Sequence, residues 1–270
     1  MFKINNLTYQ YDKTRKALDN VSMDFNKGDI IGIIGSNGSG KSTLFNNLMG
    51  ILKSTEGEIL YNGEQIKYDK KSLYNLRKEV GIVFQDPEKQ IFYSMVYDDI
   101  AFALRNIGMD EKTIKDRIHT ALEAVNGLQF IDRPVHNLSF GQKKRVAIAS
   151  VVAMENKLVL LDEPTAGLDP ISTRAIVDII KGLNDRGVKI IISSHDMNLI
   201  YAGSRQTEWD KIAEENDFIE LVKQAITETL YIGDGAFKIS FDTNLSKYPI
   251  LEFYSGDKTE IIKDREELRR

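Results

Sequence analysis

The chain has 270 residues, 42% of them hydrophobic and 28% charged, enough for one large domain or two small ones and unlike a disordered or fibrous composition. Its net charge of −4 speaks against a dedicated nucleic-acid binder, which carries a basic face, and the absence of cysteine excludes disulfides, thiolate metal sites and cysteine nucleophiles. No charged-then-apolar signal segment opens the sequence, and no apolar run approaches the roughly 20 residues that span a bilayer, so any work at a membrane is expected to proceed through partner subunits.

Residues 29–35 (DIIGIIG) form an apolar run that reads as a buried strand. Residues 35–43 are rich in glycine and serine, and a helical pattern opens at Leu44. Residues 79–85 (EVGIVFQ), 157–162 (KLVLLD) and 188–193 (VKIIIS) supply three further strand candidates. Between them, Ile114, Ile118, Leu122 and Val125 recur at helical spacing within residues 110–127, part of a mostly helical insertion expected over roughly 86–155. Residues 171–185 read as another helix. Such alternation predicts an α/β core. Residues 207–230 read as helix, and a hairpin is expected either in 230–239 (LYIGDGAFKI), the preferred place, or in 250–262 (ILEFYSGDKTEII).

Two motifs carry chemistry. Gly35-Ser36-Asn37-Gly38-Ser39-Gly40-Lys41-Ser42 matches G-x-x-x-x-G-K-[ST] between a predicted strand and a predicted helix. Its glycines let backbone N–H groups point at phosphate, and the following helix adds its positive end. Lys41 is then expected to reach the β- and γ-phosphates, with the Ser42 hydroxyl on Mg²⁺. In residues 158–164 (LVLLDEP), four apolar residues deliver Asp162 to the end of a buried strand, where its carboxylate suits Mg²⁺. Glu163 follows, placed to orient the water that attacks the γ-phosphate. Together they predict a nucleoside triphosphatase.

The surrounding residues narrow the class. Leu138-Ser139-Phe140-Gly141-Gln142 precedes the acidic strand, Asp169 follows Glu163 in Ala166-Gly167-Leu168-Asp169-Pro170, Gln85 ends the VGIVFQ run, and His195 follows the last strand. In this order and spacing the chain resembles the nucleotide-binding subunit of ABC transporters, over roughly residues 1–202. The resemblance implies a P-loop NTPase (ABC ATPase) core with a mainly parallel sheet, an antiparallel β N-terminal subdomain and a helical signature subdomain. It also implies that Gln85 touches Mg²⁺ and water and senses the membrane subunit, that Asp169 is the D-loop residue, and that His195 faces the γ-phosphate. Tyr11 matches the aromatic that stacks on adenine, with Tyr9 as the lesser candidate. Thr43 completes the nucleotide-binding loop. Ser139, Phe140, Gly141 and Gln142 form the signature segment, which in the family grips the ATP held by a second subunit facing head to tail.

Phe140 stands where the family's usual signature, LSGGQ, has glycine. With residues 84–92 (FQDPEKQIF) and 164–170 (PTAGLDP), it resembles the energy-coupling-factor branch of importers, most of all the cobalt/nickel uptake ATPases. The cofactors implied are ATP and Mg²⁺. The partners implied are a second ATPase subunit, identical or not, a transmembrane energy-coupling subunit and a substrate-binding membrane subunit, with the protein at the cytoplasmic face of the membrane. A vitamin-type importer is the alternative within the branch. A soluble ABC ATPase acting on DNA or ribosomes is disfavoured, since residues 44–137 are too short for a coiled-coil insertion. Residues 86–99 are the expected docking face, with Ile91, Phe92, Tyr93 and Met95 as apolar anchors and Asp98 and Asp99 as charged probes. Residues 203–270 depart from the family pattern and are expected to complete the core or to be appended to it.

Overall fold

Phe2 and Ile4 are buried while Lys3 faces out, the period-two alternation of a half-buried strand. They open β1 (Phe2–Gln10), which pairs antiparallel with β2 (Lys16–Asp24) on one side and β4 (Glu56–Tyr61) on the other. With β5 (Glu64–Gln65) these strands form a sheet in the order β2-β1-β4-β5, the expected antiparallel N-terminal subdomain. The computed structural model describes residues 1–12, 15–26, 28–195, 235–240 and 250–255, and divides into two units, Met1–Leu76 with Ile191–Arg270, and Arg77–Ile190.

The first unit also carries β3 (Ile30–Gly35), with Ile31, Ile33 and Ile34 buried. The chain turns from it into α1 (Lys41–Leu48), which buries Leu44, Phe45 and Leu48. Helix thus begins before the apolar pattern that predicted it, because Lys41 to Thr43 form a first turn facing the loop. On one side β3 neighbours β8 (Lys189–Ser194). On the other it pairs antiparallel with β9 (Gly235–Ser240), which pairs antiparallel with β10 (Ile250–Ser255).

The C-terminal pairing differs from expectation. A hairpin was expected within one run or the other, yet β9 comes from the first candidate and β10 from the second, in register from Ile250↔Ser240 to Ser255↔Gly235. A strand edge selects its partner by backbone hydrogen bonding across the sheet, and here the partner lies in a separate run. The helix expected over 207–230 lies outside the described residues.

In the second unit β6 (Val80–Val83) pairs parallel with β7 (Leu158–Asp162). All of β7 is buried, as its continuous apolar run implied. The strand expected over 79–85 is shorter: Glu79 closes α2 (Lys70–Glu79), and Phe84 and Gln85 lie beyond β6. Helices α3 (Val96–Asn106), α4 (Glu111–Ala124) and α5 (Phe140–Ala153) pack on one another. The predicted stripe Ile114, Ile118, Leu122 and Val125 is fully buried. Asp110 caps α4 by accepting the Thr113 N–H at 3.0 Å. After β7 the chain forms α6 (Pro170–Asp185), with Ile176, Ile180 and Leu183 inward. Among the described residues no helix is long and apolar enough to cross a membrane.

Candidate nucleotide-binding site

The loop between β3 and α1 is shaped by its glycines. Gly38 has φ +88° and Gly40 φ +92°, the left-handed region that side chains disfavour. A Cβ on Gly40 would also stand 2.5 Å from the Ala17 backbone oxygen of β2, so glycine is required there twice over. The Lys41 ammonium donates to Gly35 O at 2.7 Å and Ser36 O at 2.9 Å, which folds the loop around a positive charge. Gly40, at the N-cap of α1, offers no side-chain cap, and no acid occupies the first turn. The leading N–H groups of α1 are therefore available to an anion. Ser39 Oγ is buried with no hydrogen-bond partner among the described residues.

Tyr11 stands beside this loop with 63% of its surface exposed. Its hydroxyl lies 3.1 Å from Thr43 Oγ1, and its ring meets Tyr9 edge-on at 4.9 Å. Thr43 is buried, Ser42 is exposed, and Ser36 and Asn37 lie open on the loop. A flat apolar ring next to a cationic, N–H-lined loop fits a nucleotide, base on the tyrosine and phosphates on the loop. His195, exposed, is the first residue after β8, which neighbours β3 in the same unit.

The acidic residues belong to the second unit. Asp162 ends β7 and Glu163 follows it, each only 4% exposed. Glu163 has φ +47°, a left-handed backbone that costs a non-glycine residue about 1–2 kcal/mol. Lys144, on α5, donates to Glu163 O at 2.8 Å and Pro164 O at 3.0 Å. Burial pushes its pKa down to about 8, against the pull of the Glu163, Asp162 and Asp86 charges. The motif reading passed over this lysine. Its signal was positional: Ala147 and Ile148, three and four residues on, are core residues, so Lys144 shares the inward face of α5.

The signature segment is the capped start of α5. Ser139 Oγ accepts the Gln142 N–H at 3.4 Å and Gln142 Oε1 accepts the Ser139 N–H at 3.0 Å, a capping box. Phe140 is partly exposed, with the Lys144 ammonium 5.5 Å from its ring centroid. Gly141 packs against Ser172 and Leu168, where a Cβ would come 3.2 Å from Ser172 Oγ. Asp169 caps α6, accepting the N–H groups of Ile171 and Ser172 at 2.9 Å and the Ser172 hydroxyl at 2.6 Å. The Ser172 hydroxyl, more than any other contact, draws its carboxyl below the usual range.

Gln85 is exposed beyond β6. Its neighbour Gln90 fixes the segment, accepting from Phe84 N at 3.1 Å and donating to Ala147 O at 3.1 Å. Of the four expected docking anchors, Phe92 and Tyr93 are exposed and cluster with Phe102, Met95 is half-buried, and Ile91 is core. Asp99, expected as a surface probe, is buried and accepts from Phe92 N at 3.1 Å and Tyr93 N at 3.2 Å. It organises the loop from within. Asp98 remains on the surface, paired with Arg105. Each unit thus gathers its own set: Tyr11, the loop from Gly35 to Thr43 and His195 in one; Gln85, the signature, Asp162, Glu163 and Asp169 in the other.

Comparison with known proteins agrees with this geometry. Residues 18–166 match the ABC transporter family. The energy-coupling factor transporter ATP-binding protein EcfA of Methanocaldococcus jannaschii is 45% identical over 77% of this chain and 76% of its own. The cobalt import ATP-binding protein CbiO of Salmonella typhimurium is 45% identical over 74% of each chain. Among solved structures, cbiO1 of Clostridium perfringens, part of the ABC transporter complex cbiONQ, superposes with TM-score 0.67 at 43% identity, covering 74% of this chain and 80% of that one. The dimeric cassette MJ0796 in a post-hydrolysis state, bound to ADP and Pi, gives 0.68 at 28% identity over 75% and 91%. The chain belongs to the ABC transporter family and is one of its ATP-binding ATPases.

Proposed function

We propose that this chain powers an importer of the energy-coupling-factor type, carrying cobalt or nickel, as a nucleotide-sandwich dimer docked on the cytoplasmic face of the membrane. The reading takes residues 1–202 as the cassette, with roughly 86–155 as its helical subdomain and 203–270 as a divergent segment that completes the core or is appended to it. The observation that carries it is the Lys41 ammonium at the centre of a glycine loop that opens onto an uncapped helix. That arrangement holds a triphosphate.

Tyr11 stacks on the adenine, Gly35 to Ser42 wrap the β- and γ-phosphates, and Thr43 closes the loop. Ser42, Asp162 and Gln85 would hold Mg²⁺, which would supply positive charge to offset that of the phosphates. Glu163 orients the attacking water and His195 contacts the γ-phosphate. Ser139, Phe140, Gly141 and Gln142 present the capped start of α5 to the nucleotide of the facing subunit, so ATP joins the two copies and its hydrolysis releases them. Phe92 and Tyr93, exposed on the segment that follows Gln85 in the chain, receive the energy-coupling subunit. A further membrane subunit binds the solute, and nucleic acid has no part. The likeness to EcfA supports the energy-coupling-factor type, and the likeness to the cobalt import protein CbiO supports cobalt within it; a vitamin-type importer is the alternative.

The test is reconstitution with the co-purified membrane subunits. ATP-dependent uptake of cobalt or nickel, abolished by Glu163→Gln, supports the reading. Uptake of a vitamin instead reassigns the solute, and persistent fast hydrolysis by Glu163→Gln removes that residue from its role.

A further inference from the structure

Lys144 is 1% exposed, a position that lysine almost never occupies without a specific partner. A methionine would fill the same space without desolvating a charge. What the ammonium adds is directional. Its two hydrogen bonds go to consecutive backbone carbonyls, Glu163 O and Pro164 O, at the step where the chain leaves β7 with Glu163 at φ +47°. A left-handed residue outside glycine persists only when its surroundings hold it, and Lys144 supplies two charge-assisted bonds that do so. The Phe140 ring faces the same ammonium, and the ideal Cβ position of Gly167 lies 3.5 Å from that ring. Lys144 therefore joins the first residue of the signature helix to the backbone that carries Glu163.

We propose that Lys144 is a positioning residue for hydrolysis, a strut that ties the signature helix to the Glu163 backbone and so fixes where the Glu163 carboxylate points. The inference rests on the proposed role of Glu163 as the residue that orients the attacking water. In the proposed dimer the signature serves the partner's nucleotide and Glu163 serves its own, so this strut is the intrachain link between the two ATP sites.

The experiment compares Lys144→Met, of similar length without donors, with Lys144→Gln, whose amide keeps a donor at shorter reach. Both are assayed in the assembled transporter for kcat, KM and ATP affinity, with circular dichroism to confirm folding. Removing both bonds lowers kcat on the order of 30-fold in Lys144→Met, and Lys144→Gln recovers to about threefold below wild type. KM and ATP affinity stay within about twofold, because Lys144 touches neither phosphate nor base. In a Glu163→Gln background the Met substitution changes the residual turnover little, since it acts through Glu163. A folded Lys144→Met protein with wild-type kcat overturns the proposal, as does an equal loss in kcat and ATP affinity. If Lys144→Met does not fold, Lys144→Gln decides: wild-type kcat overturns the strut, and reduced kcat with unchanged KM supports it. Failure of the Glu163 reading shows separately, as fast hydrolysis by Glu163→Gln alone.

Discussion

Replacing Gly40 by alanine separates two costs that the phosphate loop combines. The first is conformational: at φ +92° an L-residue loses about 1–2 kcal/mol, partly offset by about 0.4–1 kcal/mol of lost unfolded-state freedom. The second is steric. The new Cβ would lie 2.5 Å from the Ala17 oxygen and 3.1 Å from Leu18 Cδ2, well inside the ~3.3 Å at which carbon and backbone oxygen ordinarily touch. The obstacle is backbone held in a sheet, so α1 or β2 must move, at about 1–3 kcal/mol. Gly38 supplies the control, with φ +88° and nothing within 4 Å of its ideal Cβ. Gly38→Ala therefore costs about 1 kcal/mol or less, and Gly40→Ala about 2–4 kcal/mol. In thermal unfolding the two differ by about 4–8 °C, and only Gly40→Ala displaces the start of α1 enough to weaken ATP binding severely. Equal melting temperatures for the two variants would refute the close approach of the loop to β2.

Asp98 and Asp99 divide surface from interior: Asp98→Lys leaves the melting temperature within about 2 °C of wild type, whereas Asp99→Lys, which puts a second-sign charge into a buried loop anchor, destabilises it by about 3 kcal/mol or more. Asp99→Asn keeps an acceptor for Phe92 and Tyr93 and is tolerated; urea unfolding of the three distinguishes them. Lys144 gives a pH signature. Its folded pKa of about 8 lies below the ordinary lysine value of 10.5, so between these values the unfolded chain holds a proton that the folded one has released. Stability from this group is lowest below pH 8 and rises through that window, by about 3 kcal/mol in total. Denaturant titrations across pH 7–10.5 should show this rise in the difference between wild type and Lys144→Met.

The parts of the site that local order encodes were legible in the residues. The phosphate loop, the acidic strand and the signature each occupy one short stretch, and the stripe from Ile114 to Val125 declares its buried face by period alone. What escaped is set by distant neighbours. That Gly40 admits no side chain depends on Ala17 across the unit. That β9 pairs with β10 is decided by sheet edges, since both C-terminal runs carry a Gly-Asp pair in the sequence and look alike locally. Asp99 reads as a surface charge until the loop folds over it. Asp169 was named as the D-loop residue, and its visible work is to cap α6. Lys144 reads as one more basic residue in a basic run until its helix face is counted.

Sedimentation of Glu163→Gln, with and without ATP and Mg²⁺, tests the nucleotide sandwich most directly. Two copies should associate only when ATP is present, and an added Ser139→Arg, which blocks the signature end of α5, should abolish the pairing. Single chains at every nucleotide concentration, with the membrane subunits supplied, would contradict it.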